Sequence, residues 1–191
     1  YEGYYSLTDA FRYVSFNYIS IGLASGFASA DFNQWPLLVS LWMFFLSNVL
    51  ANAGSMGGGI KMARAIVLFK FSMREVTLLL HPNAVKTVKL NGRSISERTA
   101  LAVMGFIFVY FMTVVIFTFA MMISGMDFVS SLTAVIACIT NAGPGLGAVG
   151  PAGNYALLTD SQKWFCTMVM LLGRLEIFTV LVLLTPAYWK K

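Results

Sequence analysis

Asn52-Ala53-Gly54-Ser55-Met56-Gly57-Gly58-Gly59 lies inside a run from Leu37 to Ile60 that carries no charged residue. Trp35 stands just ahead of that run and Lys61 ends it. About twenty apolar residues cross a hydrocarbon core of ~30 Å, and Trp and Lys suit the two interfaces. Four glycines within residues 54–59 nevertheless argue against a continuous helix, at ~1 kcal/mol each relative to Ala. Irregular backbone at membrane depth is tolerated only where protein encloses it or a water-filled cavity faces it. The stretch therefore predicts a broken spanning helix whose gap is a pore or gate element, in a fold that is all-α and integral to a membrane.

The rest of the composition agrees. Of 191 residues, 58% are hydrophobic, 15% aromatic and only 11% charged, where soluble domains carry about a quarter charged residues. The net charge of +5 is informative through its placement. Lys61, Arg64, Lys70, Arg74, Lys86, Lys89, Arg93 and Arg98 cluster beside apolar spans, and Lys190 and Lys191 end the chain, which is the positive-inside pattern. Base-stacking aromatics are not interleaved with these charges, so a nucleic-acid face is the weaker reading and no nucleic-acid partner is expected. Thr99–Ile123 is a second uncharged run and reads as an ordinary spanning helix. A third span, Trp164 to Tyr188, carries Arg174 and Glu176 near its middle. The charge rule places 61–98 and the C-terminus in the cytoplasm. Residues 22–36 and 142–161, which hold no Lys or Arg, fall outside. The opening Tyr1-Glu2-Gly3 has neither a starting Met nor a basic leader, so the numbering is expected to begin inside a longer protein.

Two shorter segments, Ser6–Ile21 and Asp127–Ile139, are too short to span. Ser6-x-x-Asp9 resembles a capping box and Asp127 is a good N-cap. Each segment ends in a glycine turn, Ser25-Gly26-Phe27 and Ala142-Gly143-Pro144, and each precedes an apolar span. The pattern is an internal repeat of short helix, glycine turn and spanning helix; the alternative is a pair of interfacial helices with loops. A short helix entering from the outer face points its partially negative C-terminal end at the bilayer centre. Backbone carbonyls of the returning turn can then replace the hydration shell of a monovalent cation.

Five ordered blocks resemble the Trk/Ktr/HKT superfamily of potassium transporters, and most closely its bacterial TrkH/TrkG branch. They are Gly54-Ser55-Met56-Gly57-Gly58-Gly59-Ile60-Lys61, His81-Pro82-Asn83-Ala84-Val85, Asn141-Ala142-Gly143-Pro144-Gly145-Leu146-Gly147, Gly173-Arg174-Leu175-Glu176-Ile177-Phe178-Thr179 and Thr185-Pro186. The resemblance implies membrane–pore-helix–membrane repeats with re-entrant, K+ channel-like pore loops. Residues 1–70 would be a third repeat without its first spanning helix, 71–98 a cytoplasmic linker, and 99–191 the fourth repeat. It implies a carbonyl filter at Leu23, Ala24, Ser25 and Gly26 and at Thr140, Asn141, Ala142 and Gly143. It also implies a gating loop over Gly54, Ser55, Met56, Gly57, Gly58 and Gly59, and a pore-facing barrier at Arg174. The implied function is K+ uptake across a bacterial inner (cytoplasmic) membrane, with Na+ as a second cargo or symport as an alternative. No cofactor is expected. The implied partners are the remaining repeats of the same polypeptide, a second copy forming a homodimer, and a cytoplasmic nucleotide-binding regulatory subunit (TrkA/KtrA-like) near the basic linker. The chain departs from the family with Leu23-Ala24 in place of Thr-Thr, Met56 in place of Thr and Asn52 in place of Cys. Carbonyl ligation survives the first change, whereas hydroxyls that would steady the turn are lost.

Other readings are weaker. Arg174 falls inside an apolar span, where a charge is costly and marks a functional residue by default, against a structural role bridging helices. Glu176, two residues on, should face elsewhere and serve a neighbouring helix. The Gly54–Lys61 loop lacks the Gly-Lys-Ser/Thr ending of a phosphate cradle; its other reading is a small-residue packing surface. His81 has no catalytic partner at useful spacing, so an enzyme is not expected. Cys138 and Cys166 read as small buried hydrophobes. A non-conducting scaffold or receptor subunit of the same architecture is the alternative function.

Overall fold

The computed structural model describes residues 6–49, 57–82, 87–90 and 92–189. Gly54, Ser55 and Met56 of the expected gating loop lie outside the described residues.

The chain is mostly helical. Helix α1 (Leu7–Gly22) begins where Ser6 Oγ accepts the Asp9 amide. The Ser6 hydroxyl donates to the Asp9 carboxylate at 2.6 Å, so the pair closes a variant of the expected capping box. Helix α2 (Leu37–Val49) follows a 3-10 turn at Phe32–Gln34 and packs on α1. After the break comes α3 (Met62–Leu80), which runs unbroken through residue 70, where the sequence placed the repeat–linker boundary. The linker then forms a two-stranded antiparallel ribbon, β1 (Lys89–Leu90) with β2 (Arg93–Ser94), pairing Lys89 with Ser94.

Helix α4 (Glu97–Ile123) is the expected spanning helix. Its 27 residues at ~1.5 Å per residue extend about 40 Å. Among the described residues it is the one unbroken helix long and apolar enough to cross a membrane. Helix α5 (Phe128–Thr140) starts at Asp127, whose carboxylate accepts the Ser130 amide at 3.0 Å. Two further 3-10 turns lead to α6 (Asp160–Arg174), opened by a capping box between Thr159 and Gln162.

The third span departs from the expected continuous helix. Helix α6 ends at Arg174, and α7 (Ile177–Leu184) leaves at 104° to it, before a last turn α8 (Pro186–Trp189). The hinge is Glu176, whose φ of 59° no helix interior accommodates. Arg174 and Glu176 therefore diverge because they lie either side of a break, not because they are two apart on one helix.

Helix α5 is the centre of the fold. Nine of its thirteen residues are buried. One side meets α4 and α6 through Val114, Met121, Ala134, Val135, Cys138 and Val169; the other meets α1 and α2 through Ala137, Ile21, Met43 and Phe44. Cys138 and Cys166 sit in this apolar core as expected.

Candidate functional site

The two short helices end in the same way, residue for residue. At the end of α1, Ala24 N–H donates to Ile21 O and Ser25 N–H to Ser20 O. At the end of α5, Asn141 N–H donates to Cys138 O and Ala142 N–H to Ala137 O. These are the 5→2 and 6→1 bonds of a Schellman cap, which require a left-handed residue in the middle. Ala24 (φ 57°) and Asn141 (φ 59°) fill that place, and Gly26 (φ 80°) and Gly143 (φ 98°) reverse the chain two residues later. Every member of one turn is matched in the other at a constant spacing, 24 with 141 and 26 with 143.

The two turns lie against each other. A Cβ added at Gly26 would overlap the Ala142 carbonyl oxygen and come within 3.7 Å of the Pro144 ring. Leu23, Ala24, Ser25 and Gly26 occupy an exposed or half-exposed edge, whereas Thr140 and Ala142 are buried. Two carbonyls of the second turn already accept protein donors: Gly58 N–H bonds to Thr140 O at 3.2 Å, and Tyr155 O–H to Gly143 O at 2.7 Å. The loop beyond is fixed from α5, where Thr133 Oγ1 accepts Leu146 N–H and Ser130 Oγ accepts Ala148 N–H. Asn33 joins the first turn's region to the loop after the second. Its Oδ1 accepts Gly147 N–H at 2.9 Å and its Nδ2 donates to Gly147 O at 3.2 Å.

Of the expected gating loop, the described part is Gly57, Gly58 and Gly59. It runs directly beneath the end of α5. Any Cβ at Gly58 would collide with the Ile139 carbonyl, and one at Gly173, in α6, would collide with the same carbonyl. Glycine is required at both positions for the chains to approach this closely. Gly59 (φ 96°) lies against Asn48, and Ile60 N–H bonds to Asn48 O at 2.9 Å.

Below the glycines lies a small charged cluster. Lys61 Nζ is 3.2 Å from Glu176 Oε1 and Arg64 Nη2 is 3.0 Å from Glu176 Oε2. The Arg64 guanidinium also sits over the Phe106 ring, 3.9 Å from its centre. Glu176 is thus the partner of another helix, as its sequence context suggested. A small, partly open cavity of about 10 Å³ is bounded here by Gly58, Arg64, Tyr110, Ile139, Gly173 and Glu176; it has the size of one water molecule. Arg174 is exposed on the last turn of α6. Among the described residues no group of three His, Cys, Asp or Glu side chains could hold a metal ion.

Sequence reasoning missed Asn48, Tyr110, Asn33 and the Lys61–Arg64–Glu176 cluster as site elements. Asn48 and Tyr110 are polar groups inside apolar spans, which is a signal. Lys61 and Arg64 were counted only as markers of topology.

A family of cation transport proteins, TrkH, matches residues 3–191. The chain belongs to that family. It is 40% identical over 189 residues to the Trk system potassium uptake protein TrkH of Vibrio parahaemolyticus, covering 99% of this chain and 39% of that protein. It is 38% identical to TrkH of Escherichia coli K12 over 176 residues, 92% of this chain and 36% of the relative. It is 34% identical to the Trk system potassium uptake protein TrkG of the same organism, over 98% of this chain and 38% of the relative. The crystal structure of the potassium transporter TrkH from Vibrio parahaemolyticus superposes with a TM-score of 0.89 over 98% of this chain and 40% of that one. The chain therefore spans about two fifths of the length of these relatives. The resemblance read from five sequence blocks holds over nearly the whole chain, and the relatives are named as transporters, not enzymes.

Proposed function

We propose that this chain supplies two of the pore-lining turns of a K+ uptake protein of a bacterial inner membrane. The observation that carries this reading is the contact of two equivalent turns at Gly26 and Ala142, each closing a short helix whose negative end points at it. Carbonyls of residues 23–26 and 140–143 act as the ion's ligands in place of water. Thr140 and Gly143, each already accepting one protein hydrogen bond, are the more constrained of them. Two turns make half a ring, so the remaining repeats of the polypeptide complete it. Gly54–Gly59 forms a gate beneath the filter, and Arg174 raises an electrostatic barrier to cations in the same passage. Inward movement of one charge gains ~2.3 kcal/mol per 100 mV of membrane potential. Lys70, Arg74, Lys89 and Arg98 lie on the cytoplasmic side, where a second copy and a nucleotide-binding regulatory subunit assemble.

The test is ion flux from the complete polypeptide in liposomes. K+ flux should exceed Na+ flux, and Gly26→Ser or Gly143→Ser should lower that ratio at unchanged protein yield. Absence of K+ flux from a well-folded preparation rejects transport in favour of a non-conducting scaffold. Flux that requires a Na+ or H+ gradient assigns symport.

A further inference from the structure

Cys138 and Cys166 are both buried, on the two helices α5 and α6 that pack along each other at the centre of the fold. Their thiols meet across that contact in a side-chain hydrogen bond. The Tyr155 side chain approaches Cys138 from the loop ahead of α6 and hydrogen-bonds to it as well. The same phenol donates to Gly143 O at 2.7 Å. The Cys138 carbonyl accepts Asn141 N–H at 3.1 Å, one of the two bonds that close the cap around Asn141. The thiol pair therefore lies directly behind the second glycine turn. It reaches both positive-φ residues of that turn, Asn141 through the backbone and Gly143 through a tyrosine.

Two facing thiols are the donor set of a soft metal ion, since the thiolate is a soft ligand. Zn2+ takes four ligands, and among the described residues no third His, Cys, Asp or Glu joins the pair. K+ is held by oxygen atoms and has no claim on the sulfurs. The apolar surroundings, Ala134, Val135 and Val169, decide the charge. A buried net charge is costly, and two thiolates around a divalent ion leave none. We infer that Cys138 and Cys166 form a two-coordinate site for a soft divalent ion of the Hg2+ type, whose occupancy lowers ion passage by pulling on the second turn. Each thiol releases its proton as its sulfur–metal bond forms, so one ion enters, two protons leave and the site stays neutral. Cys166, with 5% of its surface open, is the point of entry. The effect on passage rests on reading residues 140–143 as a filter; the metal site does not.

The experiment uses Hg2+ and the complete polypeptide, first in detergent and then in liposomes. Mercury retained after gel filtration against excess monothiol is counted for the parent, C138A, C166A and the double variant. Thermal midpoints check folding, with Ser in place of Ala wherever the midpoint falls. The parent should retain one ion more than any of the three variants, because a single thiolate yields its ion to the monothiol. In liposomes, saturating Hg2+ should lower K+ flux of the parent about fivefold, the equivalent of one lost hydrogen bond, with recovery on adding a dithiol. Each variant should keep its own metal-free flux. Equal retention by the parent and the double variant overturns the site. An extra ion without a loss of flux beyond that of the double variant overturns the coupling to the turn. Should Gly143→Ser leave the K+ to Na+ flux ratio unchanged in the absence of metal, the filter reading fails and the site stands on retention alone.

Discussion

Lys61 and Glu176 are the residues at which the two broken helices restart, and they bind each other at 3.2 Å. Each is the N-cap of the helix that follows its break, α3 and α7. Each holds a positive φ, 66° and 59°, with ψ of 142° and 124°, a backbone conformation that side chains rarely adopt. Strain of this kind, of order 1–3 kcal/mol per residue, persists only where the surroundings over-determine it. Here the surroundings include the ion pair itself and Arg64, which adds a second bond to the same carboxylate. The two breaks are therefore locked to one another just below the glycine segment.

That lock is measurable as a coupling. The Glu176 side chain is 43% exposed, so screening limits the pair to about 0.5–1 kcal/mol. Unfolding in mixed micelles should show Arg64→Ala and Glu176→Ala to be less than additive by that amount, and the coupling should shrink as salt is raised. The exchanged pair K61E with E176K should recover part of the stability that either single change loses. Strict additivity together with no recovery refutes the lock.

Gly58 and Gly173 press on one carbonyl, that of Ile139, from two elements. Neither position can take a methyl group without moving backbone, since the obstructing atoms are main chain. G58A and G173A should each cost about 1–3 kcal/mol, and the double variant should cost less than their sum because both displace the same oxygen. Thermal midpoints of the three variants check this, and full additivity would place the two glycines in independent sites.

The two short helices, their glycine turns and the long apolar helix α4 were legible because they rest on local signals. Charge-free runs, Ser6 and Asp127 as caps, and the glycine turns at 26 and 143 each follow from a few adjacent residues. The interruption at Gly57–Gly59 was legible for the same reason, since glycine runs cannot continue a helix. The second break was not: Gly173-Arg174-Leu175-Glu176 contains one glycine and reads as helix, and its bend at Glu176 is set by Lys61 and Arg64, more than a hundred residues away. Asn48 and Tyr110 were hidden for a related reason. A polar side chain in an apolar span signals some partner, but the partner's position on another helix is a matter of register that one sequence does not contain. The turn at Ala24 was partly hidden too, because alanine gives no hint of a left-handed conformation.

Asp127 holds the first turn of α5 by accepting the Ser130 amide, and that bond, the largest influence on it, keeps its carboxyl below the ordinary value of 3.8. A depressed carboxylate contributes stability that is fully present above the ordinary value and lost as pH falls through the lowered one. D127A should cost about 1 kcal/mol near neutrality, and the gap between it and the parent should close on acidification below 3.8. D127N retains an acceptor and should show an intermediate cost without that acid dependence. Parallel pH profiles for parent and D127A would remove the cap from the account.

Ala24 and Asn141 occupy equivalent left-handed places, but only one of them is suited to it. Asparagine tolerates this conformation through local hydrogen bonding, whereas alanine carries a penalty of ~1–2 kcal/mol from its Cβ and the following carbonyl. Glycine removes that penalty while adding some freedom to the unfolded chain. A24G should therefore raise stability by roughly 0.5–1 kcal/mol, and A24N by a similar amount, whereas N141G should gain nothing. The asymmetry is the informative part. Equal responses at 24 and 141 would mean that the two turns do not share the backbone conformation on which their equivalence rests, and a fall in the thermal midpoint of A24G would show that its methyl group supplies packing worth more than the strain it brings.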